Sequence, residues 1–503
     1  MNQIKAGAIM SYISLFITIL IGIIYTPWMI SSIGKSDYGL YVLAMSVINI
    51  FVFDFGLGDA IQRFVSKYLA EGRLDKVNKF LSVTYKLYIL ADIVIFIVLF
   101  SVYFFIPNIF QGLSPDEIVK FEFIYAVVSI FSIFSFPFVH LDGTILAHEK
   151  FVQLKLCDLI HKVLIASSMT VFLYFGYGLY ALVLVNVFAG IFRIFFKVII
   201  IKKYTKVEIN WQYWDNSIFK IIMTFSMWVT IYAISQRGVL SFAPTVLGIY
   251  HSSEYIAILG IAIAVEGYFF LFANAINGLF LPKVSRLISN QESDNIIQLM
   301  IRVGRIQIFI NGIIYIGLIS FGKQFINLWV GEEFSIVYVC SIIMISPSFI
   351  SLPQHIAHTT IIAKNKVKFL SYSGILNLLT SLLLVFPLAK YYSVLGVSIS
   401  VAIAYSFSLI FNNIIYVRIL KINIKRFFLA TFFQLMPPLL LALCFGIFIN
   451  FIIDINGWYG LFIKTIIFVC IYTALLFLLG LEYKERSELI EKMKKNIKIG
   501  NSI

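Results

Sequence analysis

Apolar runs of roughly 20 residues, the length a helix needs to cross a hydrocarbon core, recur along nearly the whole chain. Short polar stretches bound them. The pattern predicts membrane helices near 7–30, 38–62, 81–106, 121–146, 156–175, 179–201, 217–250, 254–281, 301–321, 335–363, 369–389, 393–417, 429–452 and 457–480. That makes about fourteen spans in an all-α polytopic membrane protein. The first run is longer than a signal-peptide core and is followed by further spans, so it is expected to stay in the protein.

The basic residues set the direction of these helices. Lys and Arg collect in alternate connections: Lys67, Arg73, Lys76 and Lys79; Lys150 and Lys155; Lys202, Lys203 and Lys206; Lys283, Arg286, Arg302 and Arg305; Lys364, Lys366 and Lys368; Arg418, Lys421, Lys425 and Arg426. The tail adds Lys484, Arg486, Lys492, Lys494, Lys495 and Lys498, whereas the intervening connections hold only Lys35, Lys120, Lys323 and Lys390. By the positive-inside rule both termini are expected in the cytoplasm. The loop 65–80 and the tail after 481 then face inward, and 107–119 and 322–334 face outward. The tail alternates charge at helical spacing and is expected on the cytoplasmic membrane surface, held by anionic lipid.

Composition narrows the class. The 503 residues are 60% hydrophobic and 13% charged, against about 25% charged in soluble domains. A soluble enzyme, a disordered chain and a secreted disulfide scaffold are excluded. The net charge of +14 is accounted for by the basic connections, so no nucleic-acid partner is expected. Cys157, Cys340, Cys444 and Cys470 all fall in apolar stretches without metal-ligand spacing and read as small core residues. Neither a metal nor a cofactor is expected.

The chain also compares with itself. A shift of 217 carries Pro27 onto Pro244 and Tyr38 onto Tyr255; a shift of 219 carries Val65-Ser66-Lys67 onto Val284-Ser285-Arg286 and Lys86 onto Arg305. At 216, Pro137, Thr144-Ile145-Leu146-Ala147 and Lys150 fall on Pro353, Thr360-Ile361-Ile362-Ala363 and Lys366. Matches at proline and polar positions are more specific than apolar ones. A unit of six helices is even-numbered, so the copies are parallel repeats around a central cavity. The expected division is an N-lobe over 1–210 (helices 1–6), a C-lobe over 211–428 (helices 7–12), two appended helices over 429–480 and a basic cytoplasmic tail over 481–503. With the transport core ending near 425, a chain lacking 429–503 is expected to remain foldable.

Residues 34–41, GKSDYGLY, lead into FDFGLGDAIQRFVSKYLAEGRLDKVNKF at 53–80. This resembles the polysaccharide transporters of the multidrug/oligosaccharidyl-lipid/polysaccharide (MOP) superfamily, specifically the Wzx-type flippases for O-antigen and capsule repeat units. Asp54, Gly56, Leu57, Gly58, Arg63, Phe64 and Tyr68 fit the family pattern, Phe53 replaces its Leu, and Pro282-Lys283-Val284-Ser285 is similar to its second-half signature. The resemblance covers roughly residues 5–425. It implies a flippase in the bacterial cytoplasmic (inner) membrane that turns an undecaprenyl-diphosphate-linked oligosaccharide from the cytoplasmic to the outer leaflet, without covalent chemistry. Membrane lipids, H+ or Na+ as coupling ion, and a glycan polymerase and glycosyltransferases are the partners this implies, with the chain as a monomer.

Ionisable groups inside spans are the candidates for that task. Arg237 and Glu266 lie at similar distances from the turn near 251–252, roughly 20 Å deep at 1.5 Å per residue. Arg237 is expected to contact the diphosphate and Glu266 to take the coupling ion, with a structural ion pair as the competing reading. Arg63, Lys86, Arg305 and Arg193 are further candidate substrate contacts. Arg63 can instead pair with Asp59 one turn away, and Lys86 and Arg305 can serve as positive-inside anchors. Asp142 is a second candidate ion site, and His140, His355 and His358 candidate gate residues. Trp211, Tyr213 and Trp214 read as an interface anchor.

Alternatives remain within and outside this class. A cation-coupled multidrug exporter and a lipid II flippase share the superfamily plan. A membrane-embedded polysaccharide polymerase or ligase would need a sizeable external loop with its own reactive groups, and the outer connections are short, the longest being about 107–120 and 322–334, neither of which contains a His.

Overall fold

The computed structural model describes residues 3–277, 280–289, 293–364 and 366–480. In chain order the helices are α1 (Gln3–Ile33), α2 (Lys35–Phe51), α3 (Leu57–Ala70), α4 (Leu74–Ile109), α5 (Pro115–Ser135), α6 (His140–Ala147), α7 (Phe151–Tyr174), α8 (Gly178–Tyr204) and α9 (Asn216–Tyr250). There follow α10 (Ser253–Asn277), α11 (Leu281–Ser289), α12 (Ser293–Val330), α13 (Ile336–Ser351), α14 (His355–Ala363), α15 (Val367–Leu420), α16 (Ile424–Phe428), α17 (Gln434–Ile452) and α18 (Gly457–Leu475). No strand occurs among the described residues. Twelve of the described helical segments are long and apolar enough to cross a membrane, which fits a multi-pass membrane protein. The 54 residues of α15 form two arms, because Ser393 leaves the helical region with φ 47°. The expected spans 369–389 and 393–417 fall one on each arm.

The hydrophobic pattern runs single helices through 38–62, 121–146 and 335–363, and the structure breaks all three. α2 stops at Phe51, and Phe55 and Gly56 then take left-handed φ values of 52° and 64° before α3 starts. Glycine adopts that conformation without a Cβ penalty. Here the missing Cβ also matters, since one on Gly56 would lie 3.0 Å from the Val229 side chain.

The other two breaks are a matched pair. A proline inside a helix lacks the N–H and crowds the preceding turn. Around Pro137 and Pro353 the helix tightens into 3-10 turns over Phe136–Val139 and Leu352–Gln354. The shift of 216 that aligns these prolines carries the bond from Thr144 Oγ1 to the His140 carbonyl (3.0 Å) onto that from Thr360 Oγ1 to the Ile356 carbonyl (2.7 Å). It carries Lys150 N–H to Ile145 carbonyl (3.1 Å) onto Lys366 N–H to Ile361 carbonyl (3.0 Å). The local fold repeats where the sequence repeats.

The residues gather into two compact units. The first comprises 1–265 and 367–408, and the second comprises 266–366 and the chain from Leu409 onward. In the first, α7 packs against α1 and α8, and α2 runs along α9. The core of the second is built on α12: Ile308, Ile316 and Phe321 pack with Leu435, Ala442, Phe468 and Tyr472 from α17 and α18. Association between helices in lipid relies on close packing and hydrogen bonds more than on expulsion of water. Both are present. A Cβ on Gly312 would lie 2.2 Å from the Tyr472 hydroxyl, which donates to the Phe309 carbonyl at 2.9 Å. The buried Lys464 ammonium donates to Gln324 Oε1 (2.9 Å) and Asn450 Oδ1 (3.0 Å). The two helices that the repeat pattern sets apart as an addition thus share the core of the second unit. The cysteines divide: Cys157 and Cys340 are buried as expected, whereas Cys444 on α17 and Cys470 on α18 are exposed. An apolar run fixes depth in the membrane, not which face of the helix a residue occupies.

Candidate functional site

The first unit concentrates charge inside apolar helices. Arg193 and Lys197 stand one turn apart on α8, and each finds an acid on a different neighbour. Lys197 Nζ lies 2.6 Å from the Asp142 carboxylate on α6, and Arg193 Nη2 lies 2.6 Å from Asp158 on α7, with Nε adding a second bond at 3.1 Å. One turn beyond Asp158, Lys162 donates to Thr18 Oγ1 on α1. The array therefore holds two carboxylates, Asp142 and Asp158, against three cations, Lys162, Arg193 and Lys197. Charge at such positions is tolerated when paired, and Lys162 is the cation of the three whose bond goes to a hydroxyl and not to an acid. A cation so placed can meet an anionic group.

Beside this array lies the break after α2. Asp54 accepts the Gly58 amide at 2.9 Å and the Tyr88 hydroxyl from α4, so the acid of the family-like motif caps α3 and ties it to α4. His140 starts α6. Its Nδ1 hydrogen bonds to the Pro137 carbonyl at 2.6 Å, which places the proton on that nitrogen, and its ring meets Tyr85 edge-on at 4.9 Å. His140 and Asp142 thus share α6 with Lys197 beside them.

Residues 205–215, the link between the two sequence repeats, lie as a strap along α4. Asn78, Ser82 and Lys86 recur every four residues and so share one helix face. Asn78 Oδ1 accepts the Glu208 amide (3.1 Å), Ser82 Oγ accepts the Asn210 amide (2.8 Å), and Lys86 Nζ donates to the Tyr213 carbonyl (2.9 Å). Lys86 also stands 6.0 Å from the Trp214 ring, and Trp211 meets Tyr85 at 5.1 Å. The strap ends at Asp215, which caps α9 by accepting the Ser217 and Ile218 amides.

Other candidates fall elsewhere. Arg63, on α3, is exposed and stands 4.9 Å from the Phe225 ring of α9 and 5.6 Å from Phe64; among the described residues it makes no pair with Asp59. In the second unit Arg305 is buried on α12 and donates to the Gly480 carbonyl past the end of α18. His355 and His358 stack on α14 with ring centres 5.2 Å apart. Glu266 is 4% exposed and has no ion-pair partner among the described residues. Arg237 belongs to α9, but its side chain lies outside the described residues. Within the first unit Arg193, Asp142 and His140 come together, and Lys86 joins the strap.

Residues 33–338 match the family model described as polysaccharide biosynthesis protein. The chain belongs to that polysaccharide biosynthesis protein family. It carries a polysaccharide-family sequence on the fold of MOP-superfamily transporters. The capsular polysaccharide biosynthesis protein CapF of Staphylococcus aureus is 25% identical over 230 residues, 44% of this chain and 55% of that protein. The chain spans about half the length of that curated relative. Among solved structures, the lipid II flippase MurJ in an inward closed conformation matches with TM-score 0.64 and 17% identity, covering 93% of this chain and 98% of that one. An inward-facing multidrug resistance MATE transporter of the MOP superfamily gives TM-score 0.64 and 12% identity, covering 82% and 95%. A MOP-superfamily transporter from Pyrococcus furiosus gives 0.60 and 13%, covering 84% and 96%. At these identities the likeness is one of fold.

The matched span of this polysaccharide biosynthesis protein includes the Asp54 break, the strap and the α6–α8 array. Asp158 and Lys162 escape sequence reasoning, although two charges four residues apart inside an apolar run were signal enough to consider them. The Asn78–Ser82–Lys86 row is also readable as a polar stripe, but its partner is not.

Proposed function

We propose that this polysaccharide biosynthesis protein is a flippase that moves an undecaprenyl-diphosphate-linked oligosaccharide from the cytoplasmic to the outer leaflet of the bacterial inner membrane. A sugar-diphosphate head cannot enter hydrocarbon unaided, because its charges would lose their hydration. The polyprenyl tail can remain in lipid. The observation that carries this reading is the array on α6–α8 of a polysaccharide-family chain, three cations to two carboxylates within apolar helices. Guanidinium offers forked hydrogen bonds to phosphate oxygens, so Arg193 is the first contact we assign to the diphosphate, with Arg237 on α9 the second. Lobes 1–210 and 211–428 are the two moving halves in this proposal, and Glu266 and Asp142 the sites for a coupling H+ or Na+.

The experiment is deletion of the gene in its host. The expected result is loss of surface polysaccharide with build-up of the lipid-linked oligosaccharide on the cytoplasmic leaflet, both reversed by the intact chain and not by Arg237→Ala, with Arg237→Lys restoring part. Normal display in the deletion host, with loss of cell-wall precursor export instead, would assign the chain to lipid II.

A further inference from the structure

Parallel repeats imply an axis, and a residue that touches its own counterpart marks where the copies meet. Ser36, at the start of α2, and Ser253, at the start of α10, are related by the shift of 217, and their hydroxyls lie 2.7 Å apart. A third group joins them. Glu117, in the first turn of α5, accepts on Oε1 from Ser36 at 2.9 Å and from Ser253, while its Oε2 accepts the Ser114 amide at 2.9 Å. Beside them Asp37 pairs with Lys120 at 2.7 Å. The backbones close in as well: a Cβ on Gly39 would lie 1.8 Å from the Ser253 carbonyl oxygen, and one on Gly112 2.4 Å from the His251 nitrogen. Further along the seam Ser46 Oγ meets Thr245 Oγ1 at 2.6 Å. All these residues belong to the first unit.

We propose that Ser36, Ser253 and Glu117 form a latch that shuts the outer end of the seam between the repeats and must part in every transport cycle. The proposal rests on the flippase reading and on the topology that puts the start of α5 outside. Its chemistry suits a reversible closure. Hydroxyl-to-carboxylate bonds are charge-assisted, yet water can replace each of them once the seam opens. The glycines let the backbones meet without interlocking side chains, so separation requires no repacking of large groups.

The test replaces both serines by cysteine in a chain whose four native cysteines are changed to alanine and which still supports display of surface polysaccharide in the deletion host. Hydroxyls 2.7 Å apart make the two positions direct neighbours, the requirement for an oxidant to join cysteines placed there. Copper phenanthroline should then cross-link Ser36→Cys with Ser253→Cys, shown by protection from a maleimide mass tag. New display should fall at least tenfold and return on reduction, while each single cysteine variant stays active under oxidant. In parallel, Glu117→Gln in the Ser253→Cys chain should raise labelling by an impermeant maleimide several-fold. Absence of a cross-link would overturn the contact. Full cross-linking with undiminished display would overturn the latch and leave the flippase reading standing. Normal display in the deletion host would remove the flippase reading itself.

Discussion

Lys197 and Asp142 lie 2.6 Å apart, and it is the lysine that is buried, its side chain 6% exposed against 35% for the aspartate. Removing the aspartate leaves the buried ammonium without compensation, a loss of about 3–5 kcal/mol for a pair buried on both sides and less here, where the acid is partly exposed. Asp142→Ala should therefore lower the thermal midpoint of the purified protein clearly, and Asp142→Ala with Lys197→Met should recover most of the loss. Equal instability of the single and double variants would show that the pair contributes through shape alone.

Arg193 faces Asp158 through two nitrogens, Nη2 and Nε. Changing both partners to alanine removes one charge of each sign, so protein abundance should hold better than in Arg193→Ala alone. If Arg193 also meets the diphosphate, surface polysaccharide should still fall tenfold or more. Display at the normal level in Arg193→Ala with Asp158→Ala would confine Arg193 to a structural role.

The strap offers a separable measurement. Ser82→Ala removes the acceptor for the Asn210 amide, a loss of about 1 kcal/mol, and Asn78→Ala removes that for Glu208. Together they should loosen the strap and shift Trp211 and Trp214 emission to the red in a chain whose other four tryptophans are phenylalanine. Unchanged emission would mean that the aromatic contacts hold the strap unaided.

Truncation after residue 428 tests the core of the second unit. Phe468 and Tyr472 pack on α12, and Arg305 donates to the Gly480 carbonyl. The shortened chain should lose most of its membrane abundance and should not give a monodisperse species in detergent. A stable, homogeneous product would return α17 and α18 to the status of an appendage.

Much of the fold is legible in the sequence because the bilayer imposes one length on every span. The broken helices are legible only in part. Pro137 and Pro353 announce theirs, whereas the turn at Phe55 and Gly56 stands beside an Asp54 contact to Tyr88 that sequence spacing does not reveal. The site follows the same division. Arg193, Lys197 and Asp142 are visible as charges in apolar runs, but which acid meets which base depends on how α6, α7 and α8 pack. Lys86 is visible as a basic residue and invisible as a fastener, since its acceptor is a backbone carbonyl of the strap. Every residue supplies a carbonyl, so nothing in residue type marks it. Arg305 is alike, its acceptor being the carbonyl of Gly480.

The packing of α17 and α18 on α12 also has a consequence in time. α12 leaves the ribosome well before α18, and at synthesis rates of about 5–20 residues per second the interval is on the order of ten seconds. Throughout that interval the Ile308, Gly312 and Ile316 row lacks the partners that α18 supplies. Tyr472, which later seats its hydroxyl over Gly312, has not yet been made. The second unit is thus completed last, from its own C-terminal end, and a ribosome that stalls before Tyr472 releases a chain whose longest-waiting surface is open to the wrong neighbour.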